Sequence, residues 1–526
     1  MTTTVAPASE VTPTTPTERH PGLAVLLGIV CGAVAIAVAQ LVAGLVDPDA
    51  SPIVAVGGSA IDASPEWLKS FAIRTFGSND KAVLLAGIGI VLTLIAALLG
   101  IAALRRPWIG FLGVSVVAAI GAVAAVTRPT ARPIDALPSI AGAIAGSIML
   151  SAFLRVVATP PANTPSDPPT PIGIDRRRFL LVGAVGALAA VSVGGVGRLF
   201  ARRFEADASR AAVRLPSPAA APPSPPPANL DVRGLSSFIT PNDRFYRVDT
   251  ALLVPAVKTE DWQLSVHGMV DRELTLRFDE LMARPLIERD ITLTCVSNPV
   301  GGPYAGNARW LGAPLADVLR EAGVHPSADQ LVSTSVDGFT VGTPTAVVMD
   351  GRDAMLAIAM NGEPLPLEHG FPVRMVVPGL YGYVSATKWV VDIELTTFNA
   401  FDPYWVRRGW AQQAPIKPES RIDTPRSKAT VSAGIVPVAG VAWAQHVGID
   451  AVELRVDEAA WIPAELSVQD TIDTWRQWLV RWDATPGEHQ LEVRATDRSG
   501  AVQPAEHAPP FPEGATGYHV ISVRVE

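Results

Sequence analysis

Apolar residues follow two regimes along this chain. Before about residue 200 they form long unbroken runs, and after residue 230 they alternate with polar residues or recur at helical spacing. Five apolar stretches, roughly 22–46, 82–104, 107–127, 134–158 and 179–199, each have the length that carries a helix across a bilayer core. The first four have no charge in their interiors, which predicts transmembrane helices. Residues 51–81, with Trp67, Lys69 and Arg74, read as a loop along the membrane surface. Residues 1–21, rich in Thr, Pro and Ser, read as a disordered tail.

The stretch from Leu215 to Asn229 is proline-rich and lies in a linker predicted over 201–234. Strands and helices then mix over 235–415, where Pro314–Gly323 reads as a short helix. Its apolar face is Leu315, Val318, Leu319 and Ala322, and Gly323 is its stop. From 416 to 526 the pattern is all-β, with alternation at Val452, Leu454 and Val456, at Leu491, Val493 and Ala495, and at Ile521, Val523 and Val525. Thr485-Pro486-Gly487 supplies a turn between such strands. The predicted chain is multi-domain: an α-helical transmembrane bundle over 22–200, an α+β domain, then an immunoglobulin-like β-sandwich.

A net charge of −8 leaves no basic stripe for phosphates, so nucleic acid is not an expected partner. There are two cysteines, Cys31 in an apolar run and Cys295 in the second half. That number excludes a disulfide framework and a multi-cysteine zinc or iron–sulfur site. Cys295 is then either a small buried hydrophobe or a nucleophile or metal ligand.

Lys and Arg counts do not settle orientation. Arg105, Arg106, Arg155 and Arg176 to Arg178 share one side, while Lys69, Lys81, Arg128, Arg132, Arg198, Arg202 and Arg203 share the other. Arg176-Arg177-Arg178-Phe179-Leu180 resembles a twin-arginine export signal set inside the chain. The other reading is an ordinary cytoplasmic anchor cluster. As a signal, it sends everything after Phe200 to the extracytoplasmic side of a multi-pass protein.

Cys295 ends a β-prone run, Asp290 to Thr294, and precedes a Gly/Pro-rich loop, Pro299 to Pro303. A strand end can open a thiolate to a cofactor, and thiolates suit soft, redox-active metals. Downstream, His369, Arg374 and Lys388 bring three cationic residue types into one short stretch. Glycines 370, 379 and 382 there allow close backbone approach. The patch reads equally as a phosphate cradle or as a strand with a solvated basic edge.

Taken jointly, Thr292-Leu293-Thr294-Cys295, Gly306-Asn307-Ala308-Arg309-Trp310, Asp337-Gly338-Phe339, the segment from Met360 to Trp389, and Gly440-Val441-Ala442-Trp443 resemble the sulfite-oxidase superfamily of molybdopterin enzymes. The likeness runs from about 235 to the C-terminus and is nearest to membrane-anchored actinobacterial members. It implies a molybdenum–molybdopterin cofactor with Cys295 as metal ligand. It implies that His369, Arg374 and Lys388 bind the pterin and its phosphate. Asn242 and Phe245-Tyr246 loosely match the family's opening segment near the metal, and the resemblance offers Ser385 as a candidate hydrogen-bond donor to the cofactor. The trailing β-sandwich is the family's dimerisation domain, so a homodimer through it is among the expected partners.

The departures bear on substrate. Sulfite-oxidising members carry a tyrosine in a motif resembling Trp405 to Trp410, where this chain has Trp410. They carry an arginine shortly after the Trp443-type tryptophan, where this chain has Gln445-His446-Val447. An Arg-Asn-His segment is replaced by Val248-Asp249-Thr250. The expectation is oxygen-atom transfer on a small substrate other than sulfite, with Trp410, His446 and Arg309 as candidate substrate-pocket residues. The only histidine of the membrane half is His20, and no CxxCH motif occurs, so no haem is expected. A separate quinone- or haem-linked electron carrier follows. The alternative is a non-catalytic membrane protein whose outward domain keeps the fold for binding or assembly.

Overall fold

The computed structural model describes residues 21–65, 68, 71–72, 75–76, 80–158, 203–220 and 229–526. The N-terminal tail, the fifth apolar stretch, the twin-arginine motif, and Trp67, Lys69 and Arg74 lie outside the described residues. The chain divides into two compact units, Met1–Ala63 with Asn79–Ala201, and Ser64–Ser78 with Arg202–Glu526.

The first unit is helical. Four of its helices, Gly22–Val46, Lys81–Arg105, Pro107–Val126 and Pro133–Arg155, are long and apolar enough to cross a membrane. They coincide with the first four predicted stretches. Small residues set their spacing: a Cβ on Gly28 would collide with the backbone of Ala96, and one on Gly100 with that of Ala24. Arg128 pairs with Asp47 at 3.4 Å and ties two helix ends together.

Residues 52–63, expected as loop, form a helix instead. Pro52 is its first residue, where a missing N–H costs nothing, and Ala55 N–H closes the first turn on Ser51 O at 2.8 Å. The run Pro52–Ala63 is too short and too rich in Gly and Ala for its pattern to announce itself.

The second unit is β-rich, and strand pairing falls into two groups. In the first, β1 (Gln263–Gly268), β2 (Leu274–Arg277), β5 (Gln330–Ser335), β6 (Thr340–Pro344) and β10 (Val390–Thr396) form a sheet in the order β2-β1-β10-β5-β6. Beside it, β3 (Ile287–Thr294), β4 (Ala305–Pro314), β7 (Met355–Met360) and β8 (Glu363–Pro364) run in sequence order, with β9 (Arg374–Val376) on β7. The helix Leu315–Ala322 buries the four apolar residues expected of it, and Gly323, at φ +73°, closes it.

The later strands share a second core. One sheet has β11 (Glu419–Thr424), β13 (Gly434–Trp443), β17 (Arg476–Ala484) and β16 (Glu465–Leu466). The other has β12 (Thr430–Val431), β19 (His519–Val525), β18 (Gly487–Asp497), β14 (Ile449–Val456) and β15 (Ile462–Pro463). Val438 and Trp478 from one and Leu454, Leu491, Val493 and Val523 from the other lie in a single apolar cluster. The predicted alternation is thus the inward face of β14, β18 and β19.

The expected linker is partly folded. Arg203–Ala212 is a helix whose Ala206 is buried in the core around Phe245 and Trp310. Its Arg210 donates to Pro364 O at 2.7 Å and pairs with Glu363 at 2.9 Å. Ala219 N–H then donates to Leu286 O at 2.8 Å. Proline content signalled a spacer, but these anchors lie far along the chain and leave no local pattern.

Candidate functional site

Strand β3 decides where Cys295 sits. Side chains alternate along a strand, and Ile291 and Leu293 point into the cluster that holds Phe245, Ala308 and Trp310. Cys295 continues this series. It is buried, its thiol is free, and its N–H donates to Tyr304 O at 2.9 Å. The loop beyond is stapled by Asn298, whose Oδ1 accepts from Tyr304 N–H at 2.8 Å. Burial pushes the Cys295 thiol up, opposed by hydrogen bonds from Ser297 and by the charge of Lys388.

Facing this series is a group of aromatic and basic side chains. Gly306 on β4 lets the Phe245 ring lie against the strand, since a Cβ there would stand 2.8 Å from the ring. Phe245 stacks on Tyr246 with centroids 5.2 Å apart and meets Trp310 and His369 edge-on at 5.8 and 5.6 Å. The Arg374 guanidinium sits 4.9 Å from the Trp310 ring centre. It donates to His369 O at 3.2 Å and Ala386 O at 3.4 Å, while its Nε has no partner. No carboxylate among the described residues pairs with it. Burial pulls its pKa down to about 10.

His369 Nε2 lies 3.1 Å from the carbonyl of Asn242, which can only accept. The proton is therefore assigned to Nε2, and Nδ1 is a bare acceptor, buried and without partner. Burial, with the charges of Lys388 and Arg374, lowers its pKa to about 4, so the ring is neutral. Lys388 donates to Asp249 at 3.0 Å and to Glu368 O at 3.1 Å. Burial brings its pKa down to about 8 against the pull of Asp249.

The structure thus brings Cys295, Phe245, Tyr246, His369, Arg374 and Lys388 together. Asn242 contributes through its carbonyl, while its side chain is held by Met360 O, Glu363 and Asn361. Ser385 does not offer a spare donor: its hydroxyl faces the carbonyls of Leu380 and Tyr381, at 3.0 Å each, and shapes the turn before Lys388.

The substrate-pocket candidates are dispersed. Arg309 pairs with Asp290 across the β3–β4 register and grips its carboxylate at 2.8 and 2.7 Å. That places it on the strand face opposite Cys295. His446 has φ +67° and turns its Nδ1 to Asp473 at 3.2 Å. Trp410 is buried among Tyr383, Trp405 and Phe511 with an unpartnered Nε1. Its neighbour Tyr383 adjoins Gly382, which lies beside Thr294 O and the Tyr246 hydroxyl.

Several residues that shape the site come from the later strands and gave no local signal. Gln445 donates to Thr294 Oγ1 at 3.0 Å and Thr292 O at 3.2 Å. Thr292 N–H donates to Asp473 O at 2.9 Å, and Trp475 N–H to Thr292 Oγ1 at 2.8 Å. Arg421 donates to Gly302 O at 2.9 Å. The Asn298 amide donates to Glu419 at 3.4 Å. Both ends of the Cys295 segment are therefore held by the second group of strands.

A buried arginine without a counterion, a buried imidazole lacking a donor and a free thiol in one place match what a pterin bearing a phosphate and a thiolate-seeking metal would need. Residues 251–405 match the oxidoreductase molybdopterin binding domain family. Chicken sulfite oxidase is 32% identical over 338 residues, covering 54% of this chain and 71% of that protein. Rat mitochondrial sulfite oxidase is 30% identical over 339 residues, covering 54% of this chain and 60% of that protein. The chain thus spans about 60% of the length of such mitochondrial relatives. The solved sulfane dehydrogenase SoxCD of Paracoccus pantotrophus aligns at 24% identity with a TM-score of 0.49, covering 54% of this chain and 81% of that one. The chain belongs to the sulfite-oxidase superfamily of molybdopterin-dependent oxidoreductases. The cofactor of that family is molybdenum held by molybdopterin.

Proposed function

We propose that this chain is a membrane-anchored molybdenum oxidoreductase that carries out oxygen-atom-transfer redox chemistry on a small substrate, and that sulfite is not the preferred one. The reading is carried by the buried guanidinium of Arg374, which no carboxylate among the described residues pairs with, together with the buried free thiol of Cys295. An isolated buried cation is costly, and an anionic ligand removes the cost.

In this reading Cys295 is the protein ligand to the metal. Arg374 Nε and the Lys388 ammonium hold the cofactor's phosphate, and His369 Nδ1 accepts an N–H from the pterin. The Asn242 carbonyl orients His369, and Phe245 and Tyr246 wall the site from water. Bound molybdenum supplies two-electron oxygen transfer. Lys388 and the Ser297 hydrogen bonds favour the thiolate that a metal requires. The Trp410 indole N–H, buried and unpartnered, is the donor available to a substrate oxygen. Arg309 and His446, each spent on an aspartate, are left out of the pocket.

The apolar helices serve as a multi-pass transmembrane anchor. The motif at Arg176 to Arg178 exports the folded domain, so catalysis is extracytoplasmic. The last domain is immunoglobulin-like and provides a homodimer contact. Electrons pass to or from a separate quinone- or haem-linked carrier. Molybdenum and pterin analysis of the purified full chain tests the reading: stoichiometric cofactor is expected, and a folded chain without it contradicts the proposal.

A further inference from the structure

The three basic residues of the cradle meet on one short segment, residues 363–369. His369 belongs to it. Lys388 donates to Glu368 O at 3.1 Å, and Arg374 donates to His369 O at 3.2 Å. The end of the segment is closed locally, by His369 N–H on Pro366 O at 2.9 Å. Its start pairs with β7 and is gripped by Arg210 from the helix Arg203–Ala212. Arg210 Nε donates to Leu365 O at 2.8 Å, and Nη2 donates to Pro364 O at 2.7 Å. Nη2 also pairs with Glu363 at 2.9 Å.

The same guanidinium reaches the other side of the His369 hydrogen bond. Glu363 accepts from the side-chain amide of Asn242, which also donates to Met360 O at 3.3 Å. Asn242 Oδ1 accepts from Asn361 Nδ2 at 2.8 Å. With its side chain held at both ends, Asn242 keeps its backbone carbonyl 3.1 Å from His369 Nε2. Arg210 thus holds the segment that carries the donor through two carbonyls, and the residue that supplies the acceptor through one carboxylate. An exposed arginine–glutamate pair alone contributes little, but a planar fork shared among three acceptors fixes a geometry.

We propose that Arg210 is a positioning residue of the cofactor site, acting through Glu363 and Asn242 to keep the His369 proton on Nε2 and Nδ1 free for the pterin. The proposal rests on the cofactor reading given above. It makes the helix that precedes the catalytic domain part of the pterin pocket, although none of its side chains is assigned to the pterin. An Arg210 that only clips this helix to the sheet would support the fold and leave the His369 tautomer unchanged.

The test uses the full chain and two readouts. Solid-state nitrogen NMR of the empty protein, labelled with 15N-histidine, reads the His369 tautomer, its signals assigned by their absence from His369→Gln. Fluorescence of the released, oxidised pterin reads cofactor loss from the loaded protein after dilution. The parent should show one tautomer, protonated on Nε2. Arg210→Ala should show both tautomers and release pterin about tenfold faster, the scale found when the outer partner of a ligating histidine is lost. A single Nε2–H tautomer in Arg210→Ala overturns the proposal, as does parent-like release. If that variant does not fold, Glu363→Ala carries the test, because it cuts the link to Asn242 at a half-exposed position. One tautomer or parent-like release there overturns the proposal too. A parent devoid of pterin overturns the cofactor reading as well, whereas a loaded parent with unaffected variants overturns the role of Arg210 alone.

Discussion

Arg374 lies with its guanidinium 4.9 Å from the Trp310 ring centre, buried, its Nε unpartnered and no carboxylate set against it among the described residues. Lys388 differs in having Asp249 at 3.0 Å. Both are assigned to the cofactor's phosphate, and Arg374 is the one that would have no other counter-charge among the described residues.

Arg374→Met should therefore cost the cofactor far more than the fold. A charged hydrogen bond contributes roughly 1.5–3 kcal/mol, so losing the one from Nε weakens binding about tenfold or more. Pterin content of the purified variant checks this. The empty variant should unfold at the same or higher denaturant concentration than the empty parent, because an uncompensated buried charge is gone. Full cofactor content in Arg374→Met contradicts the assignment.

Gln445→Ala should loosen the end of β3 from a distance. It removes the bonds to Thr292 O and Thr294 Oγ1 and leaves a buried hydroxyl and carbonyl short of a donor. The expected loss is about 1–3 kcal/mol in stability, with lower molybdenum occupancy. Denaturant unfolding and metal analysis read the two effects. A destabilised variant with full occupancy would show that the later strands support the fold but not the cysteine.

Stability should depend on pH with opposite signs in two windows. Burial lowers the pKa values of His369 and His519 to about 4. Between there and the unfolded value near 6.5 the unfolded chain binds protons that the folded chain refuses, so stability falls on acidification. Glu419, raised to about 8, keeps a proton that the unfolded chain has lost, so its share of stability declines as pH rises from about 4.5 through 8. Denaturant unfolding of the empty protein across this range should show both slopes. Glu419→Gln should flatten the alkaline one only; an unchanged alkaline slope contradicts the buried-acid assignment.

Sulfite should be a poor substrate. Arg309 is locked to Asp290 on the far face of the sheet, His446 turns to Asp473, and Arg374 and Lys388 are assigned to the cofactor. An oxyanion site that lacks one charged hydrogen bond is weakened about tenfold for each 1.4 kcal/mol lost. Steady-state assays with an artificial electron acceptor should give a low kcat/KM for sulfite. Efficient turnover would mean that another cation reaches the pocket.

What was legible in the sequence is what short-range periodicity encodes. The first four apolar helices, the Leu315–Ala322 helix, the alternating strands of the last domain and the strand-end position of Cys295 all follow from it. The crowding of His369, Arg374 and Lys388 into one segment marks a basic patch, and only the family resemblance points it towards a cofactor. The face that Arg309 occupies depends on the β3–β4 register, which pairs it with Asp290 and leaves no local pattern. Gln445, Glu419 and Arg421 reach back across more than 100 residues to the Cys295 segment, and no local pattern announces such contacts.

Cys295 is proposed as the protein ligand to the metal. X-ray absorption at the molybdenum edge, on the purified parent and on Cys295→Ser, reads that bond. The substitution removes a thiolate and little volume, so the variant should fold and retain pterin. Its spectrum should show one sulfur neighbour fewer than the parent's, together with lost turnover. The same number of sulfur neighbours in both proteins would mean that Cys295 is not a ligand.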